Sequence, residues 1–197
     1  VFVNLSVGDK LFTIFCYKKN SRRHQKFIES ISECSLNHEN VSEEWLEKNN
    51  VDIQKMVKFW DQCLIEDLNK EILTGFGAWI NSNQAIIPDN VLIERIAETL
   101  KKTDGKLLWN NRFLKRLPFF AQVNQIKTLE AITYFLLGKS GKLNSDRYKY
   151  FYDEEIKDAL RVIYQNGDLQ IKLQTKNLIN QLINEGGSVF WDLKEII

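Results

Sequence analysis

PDNVLIERIAETLKKTDG, residues 88–105, decides the class of fold. Ile93, Ile96, Ala97 and Leu100 recur at the three-and-four spacing that gathers apolar side chains on one face of an α-helix. Pro88, Asp89 and Asn90 open the helix, because a first turn has no use for the donor that proline lacks. Gly105 closes it, since glycine accepts the left-handed backbone of a C-cap. The same grammar repeats on both sides. Upstream, Ile53, Met56, Val57, Trp60, Leu64, Leu68 and Ile72 make one long helical face. A short helix, SEEWLEKN, capped by Asn40 or Ser42, is expected ahead of it, and Gly75 with Gly77 is expected to end the long one. Downstream, residues 106–117 are expected to form a helix with Trp109, Phe113 and Leu117 four apart and Pro118 as the stop. Residues 124–137 follow, ended by Gly138. Residues 153–165 come next, with Ile156, Ala159, Leu160 and Ile163 in register. The turn Asn166-Gly167-Asp168 leads into a helix that runs to Gly186-Gly187, and WDLKEII finishes the chain.

Helices of this length joined by short polar turns lie antiparallel to their neighbours. The expected fold is therefore all-α: irregular antiparallel helical pairs stacked as a HEAT-like α-solenoid, a class that tolerates the lack of a strict repeat length seen here. Residues 41–197 are assigned to this repeat domain and residues 1–40 to a separate N-terminal segment. VFVNLSVGDKLFTIFCY, residues 1–17, reads as a short β-hairpin about Gly8-Asp9, with two helical turns packed under the rest as the alternative.

At 197 residues and 44% hydrophobic content the chain can bury a real core. Its 27 basic and 26 acidic side chains nearly cancel, so no whole-molecule field draws it to nucleic acid or an anionic membrane. Apolar runs fall short of a membrane span. Cys16, Cys34 and Cys63 are odd in number and widely spaced, and no signal peptide is seen, which points to reduced thiols in a cytoplasmic protein. The opening on Val1 rather than Met leads to the expectation of a fragment, a processed chain or a trimmed piece of a larger protein.

Motifs that carry chemistry fail on spacing. FLLGKSGK, residues 135–142, contains Gly-Lys-Ser, but a phosphate loop needs glycine where Thr133 stands and a strand before it; the stretch reads as a helix C-cap with a basic loop. Asp89, Glu155 and Lys157 echo the acidic and lysine residues of a metal-dependent nuclease. They fall at helix starts, where carboxylates complement the dipole. Cys16, His24, Cys34 and His38 match no zinc module, and a buried cysteine with surface histidines is the preferred reading. No serine stands in a nucleophile elbow. No catalytic residue, metal or cofactor is therefore assigned.

Basic stretches remain. KKNSRRHQK, residues 18–26, supplies Lys18, Lys19, Arg22, Arg23 and Lys26, but a helix over residues 21–35 would pair Arg22 and Lys26 with Glu29 and Glu33. It reads as a solvated run, with a grip on nucleic-acid phosphate as the alternative. On the helix expected over residues 106–117, Arg112, Lys115 and Arg116 lie opposite the apolar side of Phe113 and Leu114, with Trp109 at the edge and Lys101 and Lys102 nearby. An aromatic flanked by cations can stack on a base or clamp an acidic loop of a partner.

Phe76-Gly77-x-Trp79, the acidic opening Asp153-Glu154-Glu155-Ile156, the turn Asn166-Gly167-Asp168 and the ending Phe190-Trp191-Asp192-Leu193 carry a resemblance. Over residues 75–197 the chain resembles the C-terminal helical-repeat region of large bacterial multidomain proteins, among them STAND-type NTPases and related anti-phage defence effectors. The resemblance implies a sensor or scaffold role, in which the repeat array recognises a partner while a nucleotide-binding core and an effector elsewhere do the chemistry. The expected function is non-catalytic recognition of a protein, or of other domains of the same larger chain. Trp79, Trp109, Arg112, Lys115 and Arg116 are its candidate anchors, tryptophan and arginine being the common hot-spot types. Nucleic-acid binding is the second expectation and a metal-dependent nuclease the third.

Overall fold

Ser42 fixes where the helical chain begins. Its hydroxyl accepts the Trp45 backbone N–H at 3.2 Å, capping helix α1, Glu43–Ile65. The computed structural model describes residues 42–66, 70–144 and 152–195. The hairpin reading of residues 1–17, the basic run of residues 18–26, and Cys16, His24, Cys34 and His38 all lie outside these. SEEWLEKN is not a separate helix: neither glycine nor proline interrupts residues 42–66, so it forms the first turns of the 23-residue α1. Ile72 belongs instead to a second helix, α2, Lys70–Gly75, which tightens into a 3₁₀ turn, Phe76–Trp79.

Gly75 has φ −62°, so it does not serve as a left-handed stop. Gly77 is needed for space: a Cβ there would come 1.7 Å from the Leu108 carbonyl oxygen. Helix α3, Asp89–Thr103, ends on Asp104 and Gly105, both left-handed at φ 58° and 73°. Helix α4 spans Asn110–Val123, displaced from the expected 106–117 at both ends. Residues 104–109 form a loop, and the helix runs on through Pro118. An interior proline costs ~3 kcal/mol, but Phe120, beyond it, is fully buried. Burying a phenylalanine is worth about 3 kcal/mol, enough to carry the helix past the missing hydrogen bond.

The remaining elements follow the caps. Helix α5, Gln125–Leu137, starts where the Asn124 side chain accepts the Lys127 N–H at 3.0 Å and stops at Gly138, φ 59°. Helix α6 is Asp153–Asn166. Helix α7, Leu169–Asn184, is capped by Asp168, whose carboxylate accepts the Ile171 N–H at 2.8 Å. A closing 3₁₀ segment, Ser188–Glu195, lies over α6 and α7.

Each helix from α2 onward packs on the next, and helices two apart also meet. The most extensive contacts join α4 to α6 and α3 to α5. One row is thus α1, α3, α5, α7; the other is the Phe76–Trp79 turn, α4, α6 and the closing segment. The fold is all-α, built of packed helix pairs, and no strand occurs among the described residues. Between the rows, Phe113 meets Phe120 and Phe135. At the α1 side, Trp60 stacks on Phe76 at 4.7 Å and donates its indole N–H to Thr99 Oγ1 at 2.9 Å. The ends of α3 and α5 and the start of α4 share one end of the array, called the upper end below.

Candidate functional site

The loop of residues 104–109 at the upper end is where the backbone departs furthest from what its side chains prefer. Asp104 and Trp109 are the two non-glycine residues with positive φ among those described, at 58° and 57°. A left-handed residue with a Cβ costs about 1–2 kcal/mol, so the loop persists only because its surroundings fix it. Those surroundings are specific. Leu108 donates its N–H to the Thr74 carbonyl at 3.0 Å, and Gly105 donates to Leu100 at 2.7 Å. The Asp104 carboxylate accepts the Lys139 N–H at 2.5 Å. Gly77 clears room for the Leu108 carbonyl.

As a result Leu107 points inward, while Leu108 and Trp109 stand 45% and 52% exposed. Arg112, one turn into α4, supports the tryptophan from beneath. Its guanidinium lies 4.8 Å from the centre of the Trp109 ring and donates through Nη1 to the Ala78 carbonyl at 2.8 Å. Burial pulls that guanidinium below its ordinary value. Beside the loop opens a cavity of about 510 Å³, whose lining includes Lys70, Thr74, Lys106, Leu107, Asn110 and Phe135.

Set against this geometry, the candidate anchors separate. Trp79 is 1% exposed, its ring held among Phe59, Trp60 and Phe76; it is core and has no surface to offer. Arg112 and Arg116 are buried rather than displayed on a solvated cationic face. Arg116 makes a two-pronged bond to Asp89, Nε to Oδ1 at 3.0 Å and Nη2 to Oδ2 at 2.6 Å, and lies over the Phe119 ring at 4.4 Å. Lys115 alone of the three is exposed. Trp109 is exposed as expected, but as the residue before the helix rather than within it.

Asp89, Glu155 and Lys157 do not come together as a reacting group. Asp89 is held by Arg116 at the start of α3. Lys157 sits between the carboxylates of Glu154 and Asp192, the latter 3.2 Å away, and Arg161 meets the same Asp192 oxygen at 3.2 Å. Burial pulls the Lys157 ammonium down, but these two hydrogen-bonded carboxylates outweigh it and leave the group raised. Among the described residues no three His, Cys, Asp or Glu side chains are grouped to hold a metal. Cys63 is fully buried, and that burial pushes its thiol up, away from reactivity.

Leu108, Lys70 and Lys106 escaped sequence reasoning. One signal was present: Leu107-Leu108-Trp109 are three consecutive apolar residues, which cannot share one helical face, and they follow an Asp-Gly pair. No family model matches the chain, and neither a curated protein nor a solved structure does.

Proposed function

We propose that the helical array is a non-catalytic, HEAT-like recognition module that binds a partner through the Trp109 loop. The solenoid reading is supported by the two parallel rows, since contacts between helices two apart along the chain are how stacked helical pairs build an extended wall. One observation carries the recognition reading: a tryptophan left half in water, in a backbone conformation it disfavours, with a buried arginine stacked under it. Strain kept at an exposed aromatic is the pattern of a preorganised contact, because a rigid anchor loses little entropy on binding. The partner is a protein or another domain of a larger chain. The resemblance of residues 75–197 to helical-repeat regions of bacterial defence proteins supports a sensor or scaffold setting. No helix among the described residues is long and apolar enough to cross a membrane.

The test is a photo-crosslinking amino acid at position 109 of the whole chain, with Gln165, exposed at the end of α6, as the control position. A discrete cross-linked species at 109 and none at 165 is expected. Equal labelling at both positions contradicts a binding role for the loop.

A further inference from the structure

We propose that the cavity beside Trp109 receives an apolar side chain of an acidic peptide segment; the inference rests on the recognition reading above and names its partner class. The cavity holds about 510 Å³, within the roughly 300–1,000 Å³ of ordinary ligand sites. Its interior is apolar where Leu107 and Phe135 line it, while Asn110 adds a polar side chain to the lining. Lys70 and Lys106 are exposed members of the same lining.

Helix capping does not explain these two lysines. Lys101 and Lys102 occupy the last turn of α3, where a cation complements the dipole, and Lys101 lies 3.8 Å from Glu98. Lys70 is outside the last turn of α2 and Lys106 stands in the loop, so neither complements a helix C-terminus. No salt bridge engages either of them among the described residues. Lys139 and Lys142, after α5, add charge at the same end. The one acid in the loop, Asp104, has its carboxylate on the Lys139 N–H. A cavity lined by Lys70 and Lys106, whose one lining acid, Asp104, is turned to the Lys139 N–H, and which has Leu108 in its wall, complements a short segment carrying one large apolar residue between Asp and Glu.

A nucleic acid fits less well. Phosphates need a continuous cationic track, and the two lining lysines, Lys70 and Lys106, do not make one.

The experiment uses the whole chain and fluorescein-labelled 12-residue peptides followed by anisotropy. One peptide has a central Phe flanked by Asp and Glu, a second has that Phe replaced by Ala, and a third has the acids replaced by Lys. A 12-nucleotide oligothymidylate is the fourth probe. The acidic Phe peptide is expected to bind, losing roughly tenfold on Phe→Ala and roughly tenfold against the K70E/K106E protein, with the lysine peptide silent. The circular dichroism of K70E/K106E is expected to match that of the parent chain, which separates lost binding from lost folding. Absent binding of the acidic Phe peptide, indifference to the Phe, indifference to K70E/K106E, or tighter binding of oligothymidylate each overturns the inference. If the position-109 cross-link persists in that case, recognition stands and only its acidic-peptide form falls; if the cross-link is also absent, both fall.

Discussion

The 3₁₀ turn Phe76–Trp79 and the loop of residues 104–109 meet along one seam and treat their tryptophans in opposite ways. In the turn all four residues are buried, and Trp79 is locked among three aromatic rings. In the loop, Leu108 and Trp109 face water. The two stretches are nevertheless one mechanical unit. Gly77 lets the Leu108 carbonyl in, Thr74 accepts the Leu108 N–H, and Ala78 accepts the Arg112 guanidinium that underlies Trp109. The buried stretch supplies the rigidity and the exposed stretch uses it. Residue type alone does not distinguish an anchor for a partner from an anchor for the fold; the backbone on which it stands does.

The largest effect should come from breaking the buried side. Trp79→Ala removes a fully packed ring and should lower unfolding stability by about 3–5 kcal/mol in urea titration. Gly77→Ala comes next. Its methyl would collide with a backbone oxygen rather than a yielding side chain, so a loss of about 3 kcal/mol is expected, at the upper end for overpacking. That substitution should also weaken the position-109 cross-link, because Leu108 must move away.

The exposed side should respond in the other direction. Trp109→Gly relieves a left-handed backbone while adding disorder to the unfolded chain, and these offset to within about 1 kcal/mol. Stability should therefore hold while partner binding is lost. A Trp109→Gly loss as large as that of Trp79→Ala would erase the contrast between the two stretches.

The smallest effect lies away from the seam, at Lys157. Its folded-state value is raised above the ordinary 10.5. The ion pairs with Glu154 and Asp192 therefore add stability that is fully present below pH 10.5 and is lost as pH rises through the folded value. In thermal scans Lys157→Met should melt lower than the parent chain at about pH 9, with the gap narrowing as pH rises past the ordinary lysine value of about 10.4. A gap that does not change with pH would show that the charge contributes nothing.

Much of this architecture was legible because helix ends are written locally. Asn124 and Asp168 cap with their own side chains, Gly138 supplies a positive φ, and the apolar spacing of α3 and α6 needed no distant partner. Pro118 misled because its local effect was outweighed by Phe120, whose burial depends on helices packed from elsewhere in the chain. Arg116 misled in the same way: its partner Asp89 lies 27 residues earlier, and an exposed cationic face cannot be told from a buried pair by spacing. The loop conformation was hidden for a related reason. Gly77 reads as a helix stop, yet its purpose is to admit a carbonyl from residue 108, a contact no local pattern announces.

The central claim is that residues 104–109 are held in place by the Phe76–Trp79 side of the seam, so that Trp109 is presented rather than merely left outside. Amide hydrogen exchange at Leu108, whose N–H is bonded to Thr74, tests this most directly. Protection comparable to amides in the middle of α3 is the predicted result. Exchange as fast as that of an unstructured peptide would contradict it.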